Sequence, residues 1–213
     1  MSVQKIVADR AIESVVHFTT NRGSLGVFAS GVLQSRHRLN ADAQLKHIFQ
    51  PNAAYRGKDA GWLDYANLSI THINSDFFRT ASNSWHKERD FFWCILDFSP
   101  EILSHEDVWF TTTNNIYTGV SRGLGADGLE AAFADAVTLW NGRITRRLAS
   151  QPANRTTCPQ AEVLYPGGVS TRFLQRIYVR TDSESDELAA QMSVVGHRDV
   201  AVVVSPDLFV EIR

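Results

Sequence analysis

Cysteine is nearly absent from this chain of 213 residues: Cys94 stands in an apolar run and Cys158 in a polar loop. So small a supply excludes a disulfide-stapled scaffold, although a single bridge between the two stays open. The His and Cys spacings of a structural metal site are missing too, and no metal is expected. No apolar run approaches the roughly 18 residues that cross a bilayer. The opening Met1-Ser2-Val3-Gln4-Lys5 lacks the basic-then-apolar pattern of a secretory signal, so a cytoplasmic protein without membrane attachment is expected. Proline and glycine are sparse at 6 and 13, and neither an internal repeat nor a linker stands out. Residues 1–213 therefore read as a single domain. An excess of one charge is also lacking: the net charge is −2, so a polyanion must be held by a local patch.

What the chain does have is core-forming material, 44% hydrophobic and 10% aromatic residues. His17-Phe18-Thr19 reads as a short strand. Residues 24–33 read as a helix that Gly31 stops. Residues 36–58 are polar and carry five basic side chains with Pro51 and Gly57, which reads as a long functional loop with a helical piece. Residues 65–73 and 91–98 are the best strands, the second apolar enough to be buried on both faces. A further strand is expected over 108–113, and others over 162–165, 176–179 and 200–204. Apolar residues at helical spacing predict a helix over 129–139, and an acidic helix is expected over 183–192. Ser121-Arg122-Gly123-Leu124-Gly125 carries two glycines but is not read as a strand-to-helix turn, so no dinucleotide fingerprint is expected. Without regular βαβ alternation, the expected class is α+β with a mostly antiparallel core.

Two features suggest chemistry. Residues 136–161 hold no acidic side chain but contain Arg143, Arg146, Arg147 and Arg155. Such a stretch suits phosphate contacts, and equally suits arginines gathered at a helix C-terminus. Immediately after it, Pro159-Gln160-Ala161-Glu162-Val163-Leu164 places one carboxylate before an apolar run. A glutamate at the mouth of a strand can activate a nucleophile beside a cationic sugar, or can be solvated surface.

Three segments, in order, resemble the DarT family of bacterial DNA ADP-ribosyltransferase toxins. They are His17-Phe18-Thr19 with Ser24, Leu25 and Gly31; Asp64-Tyr65-Ala66-Asn67-Leu68-Ser69-Ile70; and Gln160-Ala161-Glu162-Val163-Leu164. The resemblance spans residues 12–182. It implies an ADP-ribosyltransferase-like split β-sandwich with a cleft for NAD, used as co-substrate. His17 would hold the adenine-side ribose, and Thr19 would be a companion on the same strand face. Tyr65 would stack on the nicotinamide ring. Ser24, Asn67 and Ser69 complete the cofactor-binding set that the family segments imply.

An arginine before the second strand is implied to touch the NAD phosphates and join the base chemistry. Arg56 is the choice, with Arg79 as alternative. Glu162 would stabilise the developing sugar cation and act as general base or bind a ribose hydroxyl. Arg146, Arg147, Asn154 and Arg155 would present a nucleobase of single-stranded DNA, since a base must be unstacked to be modified. Trp140 would offer a stacking face, although its helical phase also suits a core. After the second strand the chain reads Thr71-His72-Ile73-Asn74, where the thymidine-modifying branch is proline-rich and aromatic. Guanine is favoured over thymine on that departure. A DarG-like antitoxin is the implied partner, and the chain is read as a monomer. The alternatives are an ADP-ribosyltransferase acting on RNA or protein, and a non-catalytic module that binds NAD or nucleic acid.

Overall fold

The computed structural model describes residues 1–42, 57–85 and 90–210. Helix α1 (Val3–Asp9) leads into strand β1 (Val15–Thr20), helix α2 (Asn21–Ser30), strand β2 (Val32–Gln34) and helix α3 (Arg36–Ala41). Strand β3 (Tyr65–Ile70), helix α4 (Ser75–Thr80) and strands β4 (Trp93–Phe98) and β5 (Trp109–Thr111) come next. Then follow β6 (Arg122–Leu124), α5 (Gly125–Ala131), β7 (Ala136–Thr138), β8 (Ile144–Arg146), β9 (Val163–Pro166) and β10 (Gly168–Ser170). Strand β11 (Leu174–Val179), helix α6 (Asp182–Val194) and strand β12 (Ala201–Val204) follow in turn.

Eight strands make one sheet in the order β12-β11-β4-β1-β3-β9-β5-β6. Its pairs are antiparallel except β11 with β12. The α+β class with a mostly antiparallel core is what the sequence implies, and it is what forms. All six residues of β4 are buried, as its apolar run requires. Cys94, Leu96 and Phe98 enter the larger core with Val15, Ile177 and Leu188. Trp93 and Ile95 point to the other face and join Phe18, Phe78 and Phe209. Each such side chain contributes about 1.5–3 kcal/mol on leaving water, so β4 is the axis of the fold.

Beside β4 the sheet divides. Strand β1 pairs with β4 over all six residues, Val15↔Phe98 to Thr20↔Trp93. It meets β3 only at Val15↔Ile70 and Val16↔Ser69. From His17 onward the two strands part, and this is the split of the sandwich. Helix α2 starts at the open end, where the Thr20 hydroxyl accepts from the Gly23 N–H at 3.2 Å. Gly23 is required here: a Cβ would lie 2.1 Å from Thr19 Oγ1. Gly31 ends the helix in the left-handed region at φ 69°.

One expected helix is shorter than its apolar pattern. Instead of running over 129–139, α5 stops at Ala131 and residues 136–138 form β7, paired with β8. The loop that follows β8 takes the carbonyls a longer helix would need. Thr157 N–H donates to Ala132 O and its hydroxyl to Ala134 O, while Arg147 N–H donates to Asp135 O. Strand alternation then buries Val137, and Trp140 falls in the turn between β7 and β8, exposed at 61%. The core phase of Trp140 is therefore not used.

Candidate active site

Glu162 directly precedes β9, and its backbone is fixed from the β5 side. Thr111 N–H donates to Glu162 O at 2.9 Å, and Glu162 N–H donates to the Thr111 hydroxyl at 2.9 Å. Both carboxylate oxygens are engaged. Asn67 Nδ2 donates to Oε1 at 3.2 Å, and the Asn115 N–H donates to Oε2 at 2.7 Å. These two donors, one on each oxygen, orient the carboxylate.

Strand β3 supplies the adjoining wall through simple alternation. Ala66, Leu68 and Ile70 are buried, whereas Tyr65, Asn67 and Ser69 share the half-buried face toward Glu162. Tyr65 also packs against Trp62, with centroids 5.1 Å apart. Across the split, His17 Nδ1 lies 2.8 Å from Asn67 O. A carbonyl only accepts, so Nδ1 carries the hydrogen and Nε2 keeps its lone pair. Burial holds the His17 pKa below the ordinary value, so the ring is neutral. Asn67 thus touches both sides of the site, His17 through its main chain and Glu162 through its side chain.

Other sequence-derived candidates fall differently. Thr19 is buried beside Gly23, on the His17 side of β1. Ser24 is fully buried, and its hydroxyl faces Asn21 O at 2.9 Å and Gln191 Oε1 at 3.3 Å. Ser24 thus ties α2 toward α6. Arg56 lies outside the described residues. Arg79 sits on α4 and pairs with Asp76 at 2.7 Å.

The arginine loop divides between scaffold and surface. Arg147 donates from its guanidinium to Arg155 O and Pro152 O, each at 2.7 Å. It holds the loop closed. Asn154 is likewise engaged, accepting from the Thr71 hydroxyl at 2.8 Å and reaching Ala11 O at 3.4 Å. Arg143 and Arg146 are exposed. Trp140 lies beside Tyr117, with centroids 6.3 Å apart, and Tyr117 is hydrogen-bonded to Gln160. Thr111, Asn115 and Tyr117 carry no sequence signal: Thr111 reaches Glu162 through a main-chain bond and one hydroxyl, and Asn115 through its main chain, which leave no motif.

Neither thiol is a nucleophile. Both cysteines are free and buried, and burial pushes Cys94 up to about 12. Among the described residues no group of three or more His, Cys, Asp or Glu side chains gathers at metal-binding range. No described helix is long and apolar enough to cross a membrane.

Thr71, just past β3, adopts φ 65°, an uncommon conformation for a β-branched residue. Beside it, burial and the nearby Arg155 charge lower His72 to about 4. A histidine whose folded value lies below its unfolded 6.5 is held neutral, so its contribution is complete above 6.5. That contribution is lost as pH falls from 6.5 toward about 4. An H72Q protein is expected to lose less thermal stability than wild type across this window. Parallel stability–pH curves for the two proteins would rule the assignment out.

A family model described as ssDNA thymidine ADP-ribosyltransferase, DarT, matches residues 11–210. No curated protein matches the chain. Among solved structures, the Thermus sp. 2.9 DarT in complex with carba-NAD+ superimposes with a TM-score of 0.64 at 14% identity, covering 93% of this chain and 98% of that one. The same protein in complex with ADP-ribosylated ssDNA gives 0.62 at 15% identity, covering 94% and 97%. Thermosipho africanus DarTG in complex with ADP-ribose gives 0.60 at 14% identity, covering 92% of this chain and 51% of that one. At these identities the likeness is one of fold.

Proposed function

The chain belongs to the DarT family of single-stranded-DNA ADP-ribosyltransferases, and from that premise we propose that Glu162 is its reactive carboxylate. Membership makes it an NAD-dependent DNA ADP-ribosyltransferase. The observation that carries the proposal is the hold on both Glu162 oxygens, from Asn67 and from the Asn115 main chain. A carboxylate so oriented can take a proton from a nucleobase nitrogen or fix a ribose hydroxyl, and a positioned base contributes about 10²–10⁴-fold.

The opening between β1 and β3 fits a ligand rich in hydroxyls. Neutral His17 offers an acceptor at Nε2, and Tyr65, Asn67 and Ser69 line the facing strand. When bound, NAD supplies the ADP-ribosyl group and nicotinamide as leaving group. Thr19 supports the His17 side of the opening. Arg143 and Arg146 are the exposed cations for a DNA backbone, with Arg155 beside them in the same acid-free stretch.

Guanine is the base proposed, because the segment after β3 departs from the thymidine branch and touches the arginine loop through Thr71 and Asn154. Thymine is the second reading, favoured by the description of the matched family. The protein is proposed to act in the cytoplasm as a monomeric toxin restrained by a DarG-like antitoxin. The experiment is incubation with labelled NAD and defined single strands, RNA or total protein, followed by nucleoside mass spectrometry. Label on guanine of single-stranded DNA is expected. Label confined to thymine overturns the base, and label confined to RNA or protein overturns the DNA reading.

A further inference from the structure

We infer that Arg122 and Asn115 form a positioning unit that sets the orientation of Glu162, an inference that rests on Glu162 being the reactive carboxylate. Arg122 opens β6 at the sheet edge and pairs there with Thr111, the residue that fixes the Glu162 main chain. Its guanidinium grips Asn115 at two points: Nε donates to Asn115 Oδ1 at 2.6 Å, and Nη2 donates to Asn115 O at 2.7 Å. The gripped residue in turn donates its N–H to Glu162 Oε2 at 2.7 Å. A chain of three residues therefore links an edge-strand arginine to the carboxylate.

Two observations separate this unit from ordinary surface bonding. The first concerns the Asn115 amide. A guanidinium only donates, so Oδ1 must face Arg122. That leaves Nδ2 buried without a hydrogen-bond partner, in a residue only 1% exposed. A buried donor without an acceptor is a net cost to stability. The side chain thus keeps its Arg122 bond at the cost of an unpartnered donor, while the main-chain N–H of the same residue is held on Glu162.

The second is that Arg122 is itself seated. Its guanidinium lies 5.3 Å from the centre of the Trp62 ring, which packs edge-on against Trp109 at 5.5 Å. The planar fork that binds Asn115 at two points is a property of arginine; a lysine ammonium is a single point charge. Arg122 acts through Asn115, and neither residue needs to touch a substrate.

The test compares R122M, R122K and N115A with wild type and E162Q, measuring kcat, KM for NAD, KM for single-stranded DNA and thermal stability. R122M and N115A are expected to lower kcat by about 10- to 100-fold, the scale on which a misplaced reacting group acts. Both KM values should stay at wild type. R122K should match R122M, and thermal melting of each variant checks that it is folded. A wild-type kcat in N115A overturns the inference, even where R122M fails to fold. A raised KM for DNA with unchanged kcat makes Arg122 a phosphate contact instead, and restoration by R122K makes its charge the only active property; either result overturns it. An active E162Q protein would instead sink the Glu162 reading, whereas an inactive E162Q beside wild-type R122M and N115A rejects the positioning unit alone.

Discussion

An E162Q protein is expected to lose ADP-ribosyl transfer by at least about 10²-fold while folding as the wild type does. Glutamine has nearly the same volume and keeps a carbonyl oxygen for one of the two donors. The Asn115 N–H is the stronger demand, at 2.7 Å and fixed in the main chain. The glutamine oxygen should therefore turn to it, setting its NH2 against Asn67. The Asn67 contact with His17 uses the main-chain carbonyl and is untouched by the change at Glu162. Packing and the NAD-side geometry survive, and what is lost is the negative charge with its proton-accepting capacity. Transfer to single-stranded oligonucleotides, thermal melting and NAD calorimetry on one preparation check all three statements. Retention of more than about a tenth of the wild-type rate would argue against general-base action.

How much of this was legible in the sequence depends on which bonds carry each feature. Residues 91–98 are apolar without interruption, and a strand buried on both faces is what that pattern produces in β4. Residues 183–192 announce a helix, and α6 begins with a Thr181–Glu184 capping box. The sequence reading overlooked α1, α4 and the two-stranded ribbons, each no longer than seven residues, too short for periodicity to register. The helix expected over 129–139 failed for a different reason. Its apolar spacing is real, but Thr157 and Arg147 capture its carbonyls from a distant part of the chain.

The site divides along the same line. Glu162, Asn67 and His17 come from segments with recognisable neighbours, and the fold brings them together. Asn115 holds Glu162 through a backbone N–H, which any residue but proline could supply, so no residue type marks the position. Arg147 shows the converse: an arginine in an acid-free loop suggests phosphate, and the structure adds that carbonyls of its own loop bind its guanidinium. Composition reports how many donors a segment owns, and only geometry reports where they are spent.

Expression of the wild-type protein without the proposed antitoxin is expected to arrest growth and induce a DNA-damage response, whereas E162Q at matched expression should be tolerated. ADP-ribose is bulky and carries two phosphates, so a modified base cannot pair normally and a replicating polymerase stalls there. Single strands are most abundant at the fork, so a single-strand enzyme delivers its lesions where replication is in progress. Among the described residues Glu162 is the carboxylate held between Asn67 and Asn115, and nothing else in the site offers an equivalent group to sustain transfer in its absence. Because E162Q is designed to keep the fold and the NAD-side contacts, it controls for effects of mere binding to DNA or depletion of free NAD by sequestration. Colony counts after induction, an SOS-type reporter and mass spectrometry of genomic nucleosides from the same cultures give three independent readings. Arrest by wild type with modified nucleosides and a silent E162Q culture is the expected pattern. Equal tolerance of both proteins would remove the toxin role while leaving the transferase intact, and equal toxicity of both would move the harm from catalysis to binding.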